Sequence, residues 1–327
     1  MKAWQLEANG EPRDVLGQAD VADPSPGEGQ LLVRVLACPV NFPDVLLCRG
    51  QYQITPDLPF TPGVELCGEV VGVGAGVTGF APGDRVLGSS ALPTGGFAEL
   101  ALMDAPRAFP APKALSDAEA SALFIGYQTG YFGLHRRAGL REGETLLVHA
   151  AAGGVGSAAV QLGKAAGANV IGVVGGPKKA EVARELGADV VVDRHSEDFV
   201  PIVKEFTGGR GADVVYDSVG GDTYKRSTKC IAFEGRILII GFAGGSIPTP
   251  GLNHALIKNY SIVGLHWGLY NERSPQLVAD AHEALTGLAD QGLIRPLISE
   301  ELGFDAVADG VQRVGEGSTV GRVAYVR

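Results

Sequence analysis

Long apolar runs, clustered cysteines and an excess of basic residues are all missing from this chain of 327 residues. No stretch of eighteen uninterrupted apolar residues occurs, so no segment has the length to cross a bilayer as a helix. Cys38, Cys48, Cys67 and Cys230 stand apart with no C-x-x-C pair, which excludes a disulfide framework and fits free thiols in a reducing compartment. The six histidines include no H-x-x-x-H pair, and no serine stands in a G-x-S-x-G elbow, so zinc-protease and serine-hydrolase chemistry lack their motifs. A net charge of −10 argues against nucleic acid or an anionic membrane as the main partner. Asn259-Tyr260-Ser261 matches a glycosylation acceptor, but Met1-Lys2-Ala3-Trp4-Gln5 opens like a strand rather than a secretion signal, and a cytoplasmic location is expected.

Glycine, by contrast, is abundant, with 48 residues lying among apolar runs, which implies turns and close backbone approaches rather than disorder. The most informative stretch is Thr145 to Lys179. Leu146, Leu147 and Val148 read as a buried strand, a glycine turn follows, Gly156 to Ala166 has helical character, and Asn169 to Val174 reads as a second strand. Strand, turn, helix and strand in about thirty residues form the first unit of a dinucleotide-binding sheet. Ala151-Ala152-Gly153-Gly154-Val155-Gly156 is G-x-G-x-x-G with alanine first. Gly153 lets the backbone approach a pyrophosphate, Gly156 brings helix close to strand, and the helix N-terminus offers N–H groups to the anion. Gly74 to Gly79 matches the same string literally, yet runs into Phe80-Ala81-Pro82-Gly83-Asp84 where a helix is required. Context rejects it.

The first third reads as β-rich, with extended runs at Gln30 to Ala37 and Leu66 to Val73 and recurrent proline and glycine punctuation, as in a small barrel-like fold. Ser116-Asp117-Ala118-Glu119 is a capping box opening a helix through Leu123. From Thr145 onward, strands are expected at 145–149, 170–174, 189–192, 213–217, 236–240 and 261–264, with helices between them. That alternation predicts a doubly wound parallel sheet. A helix at 277–289 and strands at 297–302 and 321–326 return the chain to the first domain. The expected division is 1–122 completed by 271–327, and 123–270.

In NAD-binding units a carboxylate about twenty positions past the glycine turn holds the ribose hydroxyls. Here that place reads Val174-Gly175-Gly176-Pro177-Lys178-Lys179, with no acid to repel a 2′-phosphate and two lysines to attract one. Lysines at a helix N-terminus oppose its dipole, so they need another reason to be there. NADPH is the expected cofactor.

Several segments together resemble one family. They are Asn41-Phe42-Pro43-Asp44, Gly50-Gln51-Tyr52, Pro62-Gly63-Val64-Glu65, Ala81-Pro82-Gly83-Asp84-Arg85-Val86, His149 to Gly156, and Asp217-Ser218-Val219-Gly220-Gly221. Across essentially its whole length the chain is similar to the zinc-independent, zeta-crystallin-like quinone oxidoreductases of the medium-chain dehydrogenase/reductase superfamily. The resemblance implies a GroES-like β-barrel catalytic domain plus a Rossmann domain, an active site in the cleft between them, and a homodimer built on the edge strand near Tyr260 to Leu265. Zinc-using relatives carry a cysteine at the place of Asn41 and G-H-E where this chain has Gly63-Val64-Glu65. Val64 cannot ligate zinc, and no metal site is expected.

The resemblance also implies roles. Asn41 and Asp44 would line the nicotinamide end, and Tyr52 would donate a proton or bind substrate. Thr129 would approach the carboxamide, Lys179 would meet the 2′-phosphate, Arg194 would stand where relatives often have a tyrosine against the adenosine and add a second cation there, and Gly176 would also bind the cofactor. The turn Ala151, Gly153, Gly154, Val155 and Gly156 would cradle the pyrophosphate. Val219, Gly241, Phe242 and Ala243 would meet the nicotinamide half. His266 and Trp267 would cover it, Trp267 by stacking on a flat acceptor, and Arg322 would lie near the cofactor. Leu46, where some relatives have tyrosine, removes a polar wall. The expected activity is hydride transfer from NADPH to a quinone or another electron-poor conjugated carbonyl. Reduction of an enoyl or acryloyl thioester of CoA is the rival activity. An NADPH-loaded binding or structural protein without turnover is the rival of another class.

Overall fold

The computed structural model describes residues 1–327, which form two compact units: Met1–Ile125 with Arg295–Arg327, and Gly126–Ile294. The second chain crossing lies beyond the expected 270/271 boundary. The reason is the helix Pro275–Asp290, which belongs to the second unit: the buried Gln128 amide donates to Val278 O at 2.9 Å.

In the first unit a sheet runs in the order Ile298–Leu302, Arg322–Val326, Gln30–Pro39, Glu65–Val73, Arg85–Ser89 and Ala108–Pro110, with Leu100–Asp104 also paired to Gln30–Pro39. Only the first pair is parallel. The long strand Gln30–Pro39 shares hydrogen bonds with three others, and register shifts at Leu32/Val33 and Val35/Ala37 kink it. Bulges of this kind strengthen twist and let a sheet curl. The curl encloses Leu31, Val33, Val35, Leu66, Phe97 and Met103, all fully buried. Ser116 and Glu119 form the reciprocal cap expected, but the helix stops at Ser121, short of Leu123. Gly74 to Gly79 forms a turn with no helix after it.

The second unit contains β1 (Thr145–His149), β2 (Asn169–Val174), β3 (Val190–Asp193), β4 (Ala212–Asp217), β5 (Ile231–Ile239) and β6 (Ser261–Gly264). They are hydrogen-bonded in the order β3-β2-β1-β4-β5-β6, every pair parallel. The helices α1 (Gly154–Ala165), α2 (Pro177–Glu185), α3 (Phe199–Phe206) and α4 (Gly221–Ser227) follow β1 to β4 in turn. Leu146, Leu147, Val148, Val170 and Ile171 are fully buried, which explains why the inner strands are unbroken apolar runs rather than alternating ones. The order reverses beside β1, the place in such sheets where ligands meet the carboxyl ends of the strands.

Candidate cofactor site and buried polar network

The glycine turn is tight for a reason that can be measured. Ala150 follows β1 directly, at φ 52, a left-handed conformation rare for a residue with a side chain, and its carbonyl accepts the Gly153 N–H at 2.8 Å. A Cβ on Gly156 would lie 2.1 Å from Ala150 O, and one on Gly153 would lie 3.2 Å from it. Gly153 caps α1, whose first N–H groups, at Gly154, Val155 and Gly156, have no partner within the helix. Ala151 is fully buried and donates to Val173 O at 3.1 Å, so the loop is laid over the end of β2.

A second turn leaves β2. Gly176, at φ 92, caps α2 and donates to Asp193 Oδ1 at 2.8 Å, while Arg194 N donates to Val174 O at 2.9 Å. Arg194 consequently lies over Gly175, where a Cβ would stand 3.1 Å from its Nε. Lys179, half-buried on α2, has its ammonium pKa lowered by burial and by the neighbouring Arg194. Both line a cavity of about 120 Å³ together with Gly153, Gly175, Phe199 and Val219.

Two further residues of this cavity escaped sequence reasoning. Arg226, on α4, is anchored by Asp198 Oδ1 at 2.6 Å and lies 4.8 Å from the centroid of the Phe199 ring. His149 forms the wall at the end of β1, and burial, then Arg226 and Arg194, lower its pKa to about 3, so it is neutral. Its place at the head of the glycine turn was the one available signal; Arg226 had none.

The remaining expected residues are dispersed around the strand ends. Val219 N donates to Asp217 Oδ1 at 2.9 Å, and Ala243 N reaches Ser218 O at 3.0 Å, tying the ends of β4 and β5. Gly241 is half-buried, Phe242 and Ala243 are exposed, and none of the three lines the cavity. Thr129 is half-buried on the helix Phe124–Tyr131, beside Gly130, where a Cβ would lie 2.7 Å from Leu162 of α1. His266 is exposed. Trp267 is only 7% exposed, so most of its ring is covered by the chain itself.

In the first unit three more of the expected residues have partners inside the chain. Asn41 caps the helix Phe42–Cys48, but its amide is consumed internally, with Nδ2 donating to Pro39 O (3.2 Å) and Glu65 Oε1 (2.9 Å) and Oδ1 accepting from Arg322 Nη2 (2.8 Å). Arg322 is buried and paired with Glu65. Asp44 is fully buried and accepts from Asn41 N (2.8 Å), Gly63 N (3.0 Å) and Val64 N (3.2 Å). All three therefore hold the unit together, because a buried polar group must keep its partners. Burial raises the Asp44 pKa to about 7 against the pull of those three donors. Glu65 is the hub, and its other oxygen accepts from Ile125 N at 2.7 Å. Tyr52 packs half-buried on the core, and burial followed by the Asp44 charge raises its phenol pKa, so it keeps its proton at neutral pH. No three His, Cys, Asp or Glu side chains come together in a way that could hold a metal ion.

A GroES-like sheet domain joined to a parallel nucleotide-binding sheet with a glycine turn defines a medium-chain dehydrogenase/reductase. Two domain families match accordingly: the alcohol dehydrogenase GroES-like domain over residues 27–113 and the zinc-binding dehydrogenase domain over residues 154–283. The quinone oxidoreductase-like protein 2 homolog of Nematostella vectensis is 41% identical over 91% of this chain and 81% of its own length. Escherichia coli quinone oxidoreductase complexed with NADPH superposes over the full length of both chains with a TM-score of 0.92 at 31% identity. A probable oxidoreductase from Mycobacterium abscessus does so over 100% of this chain and 99% of its own, with a TM-score of 0.90 at 34% identity. The chain belongs to the quinone oxidoreductase family of the medium-chain dehydrogenase/reductase superfamily, and it is an oxidoreductase.

Proposed function

We propose that this chain is an NADPH-dependent, metal-free reductase whose acceptor is a quinone or another electron-poor conjugated carbonyl. The observation that carries this reading is the cavity at the end of β2, where Lys179, Arg194 and Arg226 converge and the nearby acid, Asp193, is turned onto backbone N–H groups. Three cations sharing so small a space repel one another, and a phosphate dianion relieves that repulsion. The glycine cradle fits a pyrophosphate, because only hydrogen at Gly156 and little more at Gly153 leaves the loop its shape. Relatives of this architecture have been crystallised with NADPH.

When bound, the reduced nicotinamide supplies a hydride. The chain's own contribution is to bind the adenosine phosphate through Lys179 and Arg194, cradle the pyrophosphate on Gly153 to Gly156, and supply a proton from Tyr52 or water. Val64 and Asn41 at the places of zinc ligands support a metal-free reaction, and an acceptor already electron-poor needs hydride positioning more than a Lewis acid. No helix is long and apolar enough to cross a membrane, and the proposed setting is the cytoplasm. The proposed assembly is a homodimer through β6. That strand is an open sheet edge, and Leu252, Leu256 and Ile257 nearby in sequence are each more than 70% exposed.

The test is consumption of NADPH and of NADH with quinones, enones and enoyl-CoA esters after chelator treatment. Turnover of quinones or enones that prefers NADPH and survives chelation is the expected result. Preference for the thioesters moves the acceptor to an acyl-CoA, and cofactor binding without turnover overturns the enzymatic reading.

A further inference from the structure

The cavity carries one directional polar atom that a phosphate site does not need. His149 is 1% exposed and lines the cavity with Phe199, Val219 and Thr223. Its Nε2 lies 2.8 Å from Ser227 Oγ, and that hydroxyl lies 2.8 Å from Thr223 O. A carbonyl oxygen has no proton to give, so the single hydroxyl proton of Ser227 goes to Thr223 O. The contact with His149 then requires a proton on Nε2. The ring is thereby held as the Nε2–H tautomer, and Nδ1 is left with a lone pair alone. Nδ1 has no hydrogen-bond partner within the chain. Phe199 meets the imidazole edge-on, with ring centroids 4.9 Å apart and planes at 72°, so the ring's plane is fixed as well as its tautomer. Burial and the facing guanidinium groups of Arg194 and Arg226 keep it from taking a second proton.

A neutral acceptor of fixed direction, set among Ala150, Val173, Val219 and Phe199, suits a flat base that presents an N–H on its edge. Adenine presents such a donor in its 6-amino group, whereas a 6-oxo purine presents an acceptor at the same place. We propose that His149 Nδ1 selects the purine base of the bound dinucleotide by accepting the N6–H of adenine, with Ser227 as the positioning residue that fixes the tautomer. This rests on reading the cavity as the adenosine end of the cofactor site. With a hypoxanthine base, two lone pairs would face each other where little water can enter, and a site built to receive a donor rejects an analogue without one.

The experiment is calorimetric titration of wild type, Ser227→Ala and His149→Phe with NADPH, with its 6-oxo (hypoxanthine) analogue and with NADH. Wild type is expected to bind NADPH about tenfold tighter than the 6-oxo analogue, which corresponds to about 1.4 kcal/mol. Ser227→Ala frees the ring to adopt either tautomer, and His149→Phe removes the acceptor while keeping a ring against Phe199. Both are expected to bring the base ratio within about twofold. The preference for NADPH over NADH, read by Lys179 and Arg194, persists in Ser227→Ala. Equal binding of the two bases by wild type overturns the proposal, since His149 is then a packing residue. So does a base preference that survives in both variants. Failure of wild type to bind any of the dinucleotides instead overturns the reading of the cavity itself.

Discussion

Asp193 and Gly176 are joined across two neighbouring strand ends, the carboxylate accepting the glycine N–H at 2.8 Å. The same oxygen accepts from His195 N at 3.1 Å, and these two donors hold the Asp193 pKa below its usual value. An acid at the end of β3 thus serves as a tie between turns. Its consequence is the position of Arg194, the intervening residue, over Gly175. Asp193→Ala releases both turns and is expected to raise the KM for NADPH about tenfold, the effect of losing a charge-assisted hydrogen bond. Comparison with NADH separates the tie from a general loss of folding, because in the proposed reading NADH does not use the Arg194 guanidinium.

Lys179 and Arg194 act on the same phosphate in this reading, so their removal is expected to be less than additive. Either alanine variant should weaken NADPH by about 10- to 100-fold while leaving NADH within about threefold. The double variant should fall short of the product of the single effects, because groups sharing a partner couple. Unchanged discrimination in both single variants would move the 2′-phosphate elsewhere.

What was legible in the chain follows from what local sequence encodes. The strands β1, β4 and β6 were foreseen within one residue, since buried parallel strands are apolar runs bounded by turn residues. The glycine turn was legible for the same reason, because its shape depends on six consecutive residues. The hydrogen-bond partners of Asn41 and Arg322 were not. They are set by Glu65, which lies 257 positions from Arg322, and no periodicity reports such a pairing. A carboxylate inside the apolar run Val64-Glu65-Leu66-Cys67 was the only hint of a buried charge. Arg226 reaches the cavity from α4, remote in sequence from both glycine turns, and reads on its own as an ordinary surface arginine.

The Glu65–Arg322 pair makes its own prediction for stability. Glu65 is fully buried, and burial raises its pKa against the opposing pull of Arg322. Arg322→Met leaves that carboxylate uncompensated and is expected to cost about 3–5 kcal/mol of unfolding free energy. Adding Glu65→Gln to it removes the orphaned charge and should recover part of the loss. Chemical denaturation of the single and double variants measures the coupling. Simple additivity would show that the two side chains do not depend on each other.

His149 links the cofactor cavity to acid sensitivity. Its pKa falls from 6.5 to about 3 on folding, chiefly through burial. Between those values the unfolded chain binds a proton that the native chain refuses, so this group's contribution is present at neutral pH and is lost as the pH falls. Asp44 has the opposite sign. Its pKa rises from 3.8 to about 7, so its contribution is greatest in acid and fades as the pH rises through that range. In wild type the two slopes partly cancel between about pH 4 and 6.5. His149→Phe removes one of them, and the variant is expected to lose less stability than wild type on acidification from pH 7 to 4. Thermal unfolding of both proteins across that range checks the sign. A difference independent of pH would mean that His149 is as readily protonated in the native state as in the unfolded chain.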